Sequence, residues 1–420
     1  MRMNRYDSSS IPNSKAVNLR LSFRKKVYSF IIACFISISL IERVIVYFTN
    51  QSYVLFYIAI TLFVFLLITG TKILKINVKN FVMLVLIVII GFISIVFNGA
   101  SAIRYLEYGV CFYLPAVFIF SMEDIHYDQT LKYINIINSG YLIFYVLFYH
   151  SYMISSLDYS SLQMEAGYNF VPCILFAAIS IKYSKTKVIQ KIVCLVNVLI
   201  SIFYMLVDNA SRGPIVLILC FLLITYIRRQ NNMKMIISIV IVFTITMVLI
   251  ANYENILIWL YRVISSYNVS IPLLDKLILW SRSNYDVLNN RNILYDSAFE
   301  LVQKSPIIGS GVGCFEKYYG NGFSYVHQFF LQVTCEFGVI GFIGVVIVFV
   351  KQLQLIISKK NLSVNNFSEI ELQFGIVFFC LSMPRLMLSS SYWLTGSFWL
   401  LLAWSLSRIN FNIIKVKNQT

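Results

Sequence analysis

The chain has 420 residues, 59% of them hydrophobic and 12% charged, with a mean hydropathy of +0.77. Charged residues make up about a quarter of a typical soluble domain, so composition excludes an ordinary globular protein. The formal net charge of +16 argues for nucleic acid only until its distribution is read. Lys and Arg gather between apolar runs, in the pattern that orients membrane proteins with the basic linkers inside.

A helix needs about 20 apolar residues to cross the hydrocarbon core. Twelve runs approach that length, at 28–48, 52–70, 80–98, 107–121, 131–150, 168–183, 189–207, 213–228, 234–252, 328–350, 371–390 and 392–408. The expected fold is all-α and polytopic, with about 12 transmembrane helices. Residues 1–27 are basic and polar with no cleavage site after the first apolar run, which predicts a cytoplasmic tail before a retained span. Lys72, Lys75 and Lys79, then Lys182, Lys185, Lys187 and Lys191, then Arg228, Arg229 and Lys234 mark alternate linkers as cytoplasmic. Residues 28–252 then hold spans one to nine, 327–408 hold spans ten to twelve, and 409–420 form a second cytoplasmic tail. Residues 253–326 are left as one long extracytoplasmic loop, and loops of that length usually carry function.

Within the loop, Asn289 or Asn290 can cap an amphipathic helix from Arg291 to Lys304, with Ile293, Leu294, Phe299, Leu301 and Val302 as its apolar residues and Ser305–Pro306 as its stop. Gly309, Gly311 and Gly313 follow, permitting a tight turn back to the membrane. Seven of the eight cysteines fall in apolar runs and only Cys314 lies in this loop, so neither a disulfide framework nor metal spacing is visible.

The chemistry-bearing residues cluster around the loop. Arg212 precedes Gly213–Pro214 at the start of an apolar run. A helix N-terminus there favours an anion, and a guanidinium adds bidentate recognition of phosphate oxygens; snorkelling to lipid headgroups is the plainer role. Arg291 opens the amphipathic helix at the end where the helix dipole disfavours a cation. Arg282 and Arg262 are further loop cations, and Arg385 follows Pro384 near a span end. His327 enters the tenth span and can accept a proton near neutral pH, although a hydrogen-bonded structural histidine is the better reading of it in isolation. Glu336, nine residues on, sits too deep for the same mouth unless Gly338 or Gly341 breaks the helix. It reads as structural or orienting. Gly338, Gly341 and Gly344 have the spacing of close helix packing.

Taken in order, the SRG of Ser211–Gly213, the R-x3-aromatic-x2-A of Arg291–Ala298, the PIIGSGVGCF of Pro306–Phe315 and the H-x3-L-x4-E-x-G-x2-G of His327–Gly341 resemble the O-antigen ligase/polymerase superfamily. The likeness spans roughly residues 190–405; Gln328 and Tyr295 depart from the common Asn and Trp. It implies a metal-independent, cofactor-free glycosyltransferase of the bacterial cytoplasmic membrane, working on the outer face. Its donor and acceptor would be undecaprenyl-diphosphate-linked glycans in a lipid environment, and a flippase and a chain-length regulator would share the pathway. By the same resemblance Arg212 and Arg291 hold the diphosphate and His327 is the base. From position alone Arg282, Arg262 and Arg385 are second-line candidates for holding the same anion, and Gly213, Gly309, Gly311, Gly338 and Glu336 read as structural or orienting. A repeat-unit polymerase of the Wzy type is the first expectation and a ligase onto lipid A-core the second. A lipid-linked oligosaccharide flippase is the rival from another class. No nucleic acid is implied.

Overall fold

The computed structural model describes residues 14–51, 54–70, 77–121, 125–156, 159–184, 187–208, 213–230, 253–266, 291–319, 324–357 and 368–409. Every regular element among them is helical. Among the described residues seven helices are long and apolar enough to cross a membrane, or eight if one bent pair counts as a single span. The run 234–252, expected to be the ninth span, lies outside the described residues.

The first expected span differs from a single rod. Helix α1 (Ser14–Ile36) begins inside the supposed polar tail, and at Ser37 the chain bends by 72° into α2 (Ile38–Thr49). After α3 (Val54–Gly70), α4 (Val78–Asn98) and α5 (Ala100–Phe120) form a hairpin whose only connecting residue is Gly99, at φ 60° and ψ −131°. Helix α6 (Tyr127–Phe144) continues through a π-helical turn, Tyr145–Tyr149, into α7 (His150–Ser155). Such turns often mark functional sites. Here Tyr145 donates to Asp208 Oδ2 at 2.9 Å and His150 Nε2 stands 3.2 Å from Oδ1 of the same carboxylate. Asp208 caps α9 (Val188–Val207), which follows α8 (Tyr159–Tyr183).

The second half contains α10 (Gly213–Arg229), α11 (Tyr253–Ser265), α12 (Arg291–Lys304), α13 (Cys314–Tyr319), α14 (Phe329–Ile357), α15 (Glu369–Leu388) and α16 (Gly396–Arg408). Among the described residues the expected long loop therefore holds three helices, where its pattern predicts one. The last expected span shortens to the 13 residues of α16, with an irregular hairpin at 389–395 before it. At about 1.5 Å per residue, α16 reaches only about 20 Å.

Burial explains the arrangement. Helices α8 and α15 are buried over most of their length and form the centre, together with α16, whose residues from Phe398 to Leu406 are all buried. Helices α4, α9 and α14 turn most of their apolar side chains outward, as expected where the surroundings are lipid. The end of the bundle away from His327 is closed by compensated charges: Arg228 with Glu369 at 3.6 Å and Arg408 with Glu371 at 2.6 Å. Ser368 accepts from the Glu371 amide, and both acids sit in the first turn of α15, where the dipole favours them.

Candidate functional site

The site is built on a break in α14. Gly338 has φ 63° and ψ −163°, so the helix stops there and restarts at once. A break leaves carbonyls without amides on one side and amides without carbonyls on the other, and each must be satisfied. The segment 306–311 does both. Ser310 and Gly311 donate their amides to the carbonyls of Cys335 and Glu336 at 2.8 and 2.9 Å, while Val339 and Ile340 donate to those of Pro306 and Ile307 at 2.9 and 3.3 Å. The backbones meet so closely that a Cβ on Gly309 would overlap Glu336 and Phe337, and one on Gly338 would overlap Ile307 and Ile308. Gly338 is thus a break, in place of the expected packing contact. Gly344 has nothing near its Cβ position, and Gly341 meets chiefly Phe337 of its own helix.

Glu336 lies on the N-terminal piece of the broken helix, and three donors converge on its carboxylate: Gln332 Nε2 at 2.9 Å, Trp393 Nε1 at 2.8 Å and the Tyr392 hydroxyl. These bonds tie the 389–395 hairpin to α14. Ser389, at the start of that hairpin, partners His327: its backbone hydrogen-bonds the imidazole. The Tyr325 hydroxyl also donates to the Ser389 carbonyl at 3.1 Å, and the Tyr325 and His327 rings lie 4.4 Å apart.

His327 adopts φ 57°, one of two non-glycine residues with positive φ among the described residues. Histidine tolerates the left-handed region better than most residues, and here the conformation turns the loop into α14. Nδ1 of His327 is buried with no partner. Because the Ser389 carbonyl can only accept, the proton belongs on Nε2, which leaves the Nδ1 lone pair free. Burial, then the charge of Arg291, push the His327 pKa down to about 4, against a smaller upward pull from Ser389. The ring is neutral at neutral pH.

Two guanidiniums act on Tyr325, and one of them, Arg291, acts on His327 as well. Helix α12 rests on α14 through buried Leu294, Ala298 and Leu301, which pack with Cys335 and Val326; this docking brings Arg291, at its first position, close enough to act on both His327 and Tyr325. Arg385 enters from the last turn of α15, where the dipole favours a cation. Its guanidinium sits 4.5 Å from the centre of the Tyr168 ring, with Nε buried and unpartnered. The Tyr168 hydroxyl in turn lies 2.8 Å from Ser389 Oγ. Burial pushes the Tyr325 phenol up while Arg385 and Arg291 pull it down. Among the described residues no carboxylate pairs with Arg291 or Arg385. Arg43 and Arg104, by contrast, are compensated, Arg43 by Glu165 and Arg104 by Glu316 at 3.7 Å.

Arg212 and Arg282 lie outside the described residues. Gly213, the chain neighbour of Arg212, stands so close to Tyr168 that a Cβ there would overlap the phenol. Arg262 is exposed on α11 and is not among the groups acting on His327. Sequence reasoning gave Arg385 second rank and missed Tyr168, Tyr325 and Ser389, because nothing local marks residues whose role comes from three distant helices meeting. Among the described residues no group of three or more His, Cys, Asp or Glu could hold a metal ion.

Residues 171–346, which include His327, Arg291 and the broken half of α14, match the family model described as O-antigen ligase. No curated protein matches the chain.

Proposed function

We propose that the protein, whose residues 171–346 match the family model described as O-antigen ligase, is a membrane glycosyltransferase that polymerises lipid-diphosphate-linked repeat units on the outer face of the bacterial cytoplasmic membrane. The observation that carries this reading is the meeting of His327, Arg291 and Arg385 without any compensating carboxylate among the described residues. Cations left unpaired at a membrane protein's polar end suit an anionic substrate, and planar guanidiniums suit phosphate oxygens.

The chemistry follows from the charges. The acceptor hydroxyl oxygen forms a bond to the anomeric carbon of the donor sugar, the bond from that carbon to the phosphate oxygen breaks, and the diphosphate leaves with the electron pair. Arg291 and Arg385, with Arg212, hold the growing negative charge. The hydroxyl proton passes to Nδ1 of His327, whose missing partner is then supplied by substrate; an unsatisfied buried group costs about 1–3 kcal/mol. A bound diphosphate also offsets the charge of Arg291, so occupancy raises the basicity of His327 where transfer needs it. The guanidiniums take the role a metal ion would otherwise fill.

The second reading is transfer of finished glycan to lipid A-core, favoured by the description of the matching family model. Gene deletion separates the two. Loss of a polymerase leaves single repeat units on the surface or the carrier, whereas loss of a ligase leaves long chains on the carrier.

A further inference from the structure

On the other side of Glu336 lies a cavity of about 900 Å³ between α4, α14 and α16. It extends from Asn98 and Ser310 at the His327 end to Met83, Gln352 and Leu402. Along α4, the distance from Met83 to Asn98 is roughly 22 Å at the helical rise, most of a hydrocarbon core about 30 Å thick. Its walls are apolar, with Leu86, Ile90, Val348 and Phe349 among them. Ile93, Phe97, Ile308 and Ile340 line it and are each more than half exposed, so the slot is open along one side.

Polar groups gather at the His327 end. Lys317 and Lys304 stand 5.7 and 5.5 Å from the centre of the Tyr318 ring, and Lys317 also donates to the Phe97 carbonyl. Neither ammonium has a carboxylate partner among the described residues. A long apolar slot with two uncompensated cations at its mouth is complementary to an anionic head on a hydrocarbon chain. Neither lysine is among the groups acting on His327, so an anion held there sits away from the reacting atoms.

Resting on the polymerase reading, we propose that this slot seats the polyprenyl chain of the acceptor, with its diphosphate at Lys304 and Lys317. In polymerisation both substrates carry a lipid diphosphate, but only the donor's diphosphate leaves. The acceptor reacts through a hydroxyl at the far end of its repeat unit, so its own diphosphate must lie one repeat unit from the base. Two separate cation pairs, Arg291 with Arg385 and Lys304 with Lys317, provide those two seats.

The test uses the full-length protein in liposomes with a polyprenyl diphosphate carrying a terminal diazirine, mapped by mass spectrometry of the labelled peptides. Label is expected on α4 and α14 near Met83 and Gln352. Gly344→Trp should cut it at least tenfold, because Gly344 lines the slot and a side chain there meets nothing within 4 Å. Gly140→Trp, equally unhindered but on α6, should not. Lys304→Glu with Lys317→Glu should weaken labelling comparably. Label outside the slot, or full displacement by an equal concentration of phosphatidylglycerol, would overturn the assignment. Glycan transfer without slot labelling would overturn the slot alone; slot labelling without transfer by the wild type would overturn the polymerase reading and the acceptor assignment with it.

Discussion

The break in α14 makes a prediction in which one chemical change has opposite signs at two nearby glycines. Gly338→Ala puts a methyl group where φ 63° and ψ −163° are open essentially to glycine alone, at a cost of about 1–3 kcal/mol. The same methyl overlaps the Ile307 carbonyl and lies 2.6 Å from the Ile308 amide nitrogen, so the loop must move. Four backbone hydrogen bonds cross the break, each worth about 0.5–1.5 kcal/mol. Losing even one or two brings the total to about 3 kcal/mol, roughly a hundredfold in the equilibrium between seated and unseated loop. Gly344→Ala, in regular helix with open space around it, should instead stabilise by about 0.5–1 kcal/mol. Thermal unfolding of the purified protein in detergent measures both. The midpoint should fall for G338A and hold or rise for G344A, and transfer activity should be lost only in the first. Equal midpoints and equal activities would refute the role given to the packing of Gly338 against Ile307 and Ile308.

His327→Asn should reduce transfer by about 10²–10⁴-fold, the usual contribution of a positioned base, while keeping protein level, since Asn accepts the left-handed backbone at φ 57°; His327→Ala should lose activity and some yield as well. Because the base works unprotonated and its pKa is lowered to about 4, kcat/KM should be flat from pH 8 to about 5 and fall as pH approaches 4. In Arg291→Gln, removal of the repelling charge raises that pKa, so the acid limb of the residual activity should move to higher pH; an unmoved limb would separate Arg291 from His327. Arg385→Ala should abolish product at normal protein level, and Arg385→Lys should recover little, because an ammonium does not reproduce the guanidinium stacked on Tyr168. EDTA should leave the rate of the purified protein unchanged, as measured by product ladder against time.

Much of the fold is written locally. Among the described residues seven of the twelve apolar runs coincide with helices long and apolar enough to span a membrane. Helix α12 ends where Ser305–Pro306 predicts its stop, while the cap expected at Asn289 or Asn290 lies outside the described residues. The 72° bend at Ser37 has no Pro or Gly to announce it. The shortness of α16 is concealed because Trp393 and its neighbours, which continue the apolar run, belong to a buried hairpin held by Glu336. Glycine spacing misled for a similar reason: Gly338 and Gly344 look alike in sequence, and only the returning 306–311 segment distinguishes them. His327 and Arg291 were legible as singular residues, and the structure brings them within each other's influence. Tyr168, Tyr325 and Ser389 were not, because each is an ordinary residue whose importance lies in a contact 60 or more positions away, such as Tyr325 with Ser389 or Tyr168 with Ser389.

The account's central claim is that one imidazole and flanking guanidiniums transfer a glycan from a lipid diphosphate to a hydroxyl. Purified protein reconstituted with lipid-diphosphate-linked repeat units tests it most directly, by the products that accumulate. The prediction is a ladder of lengthening glycans with one free lipid diphosphate released per bond formed, at least about a hundredfold slower in His327→Asn and strongly diminished in Arg291→Ala. No ladder from the wild type, or a ladder undiminished in both variants, would contradict it.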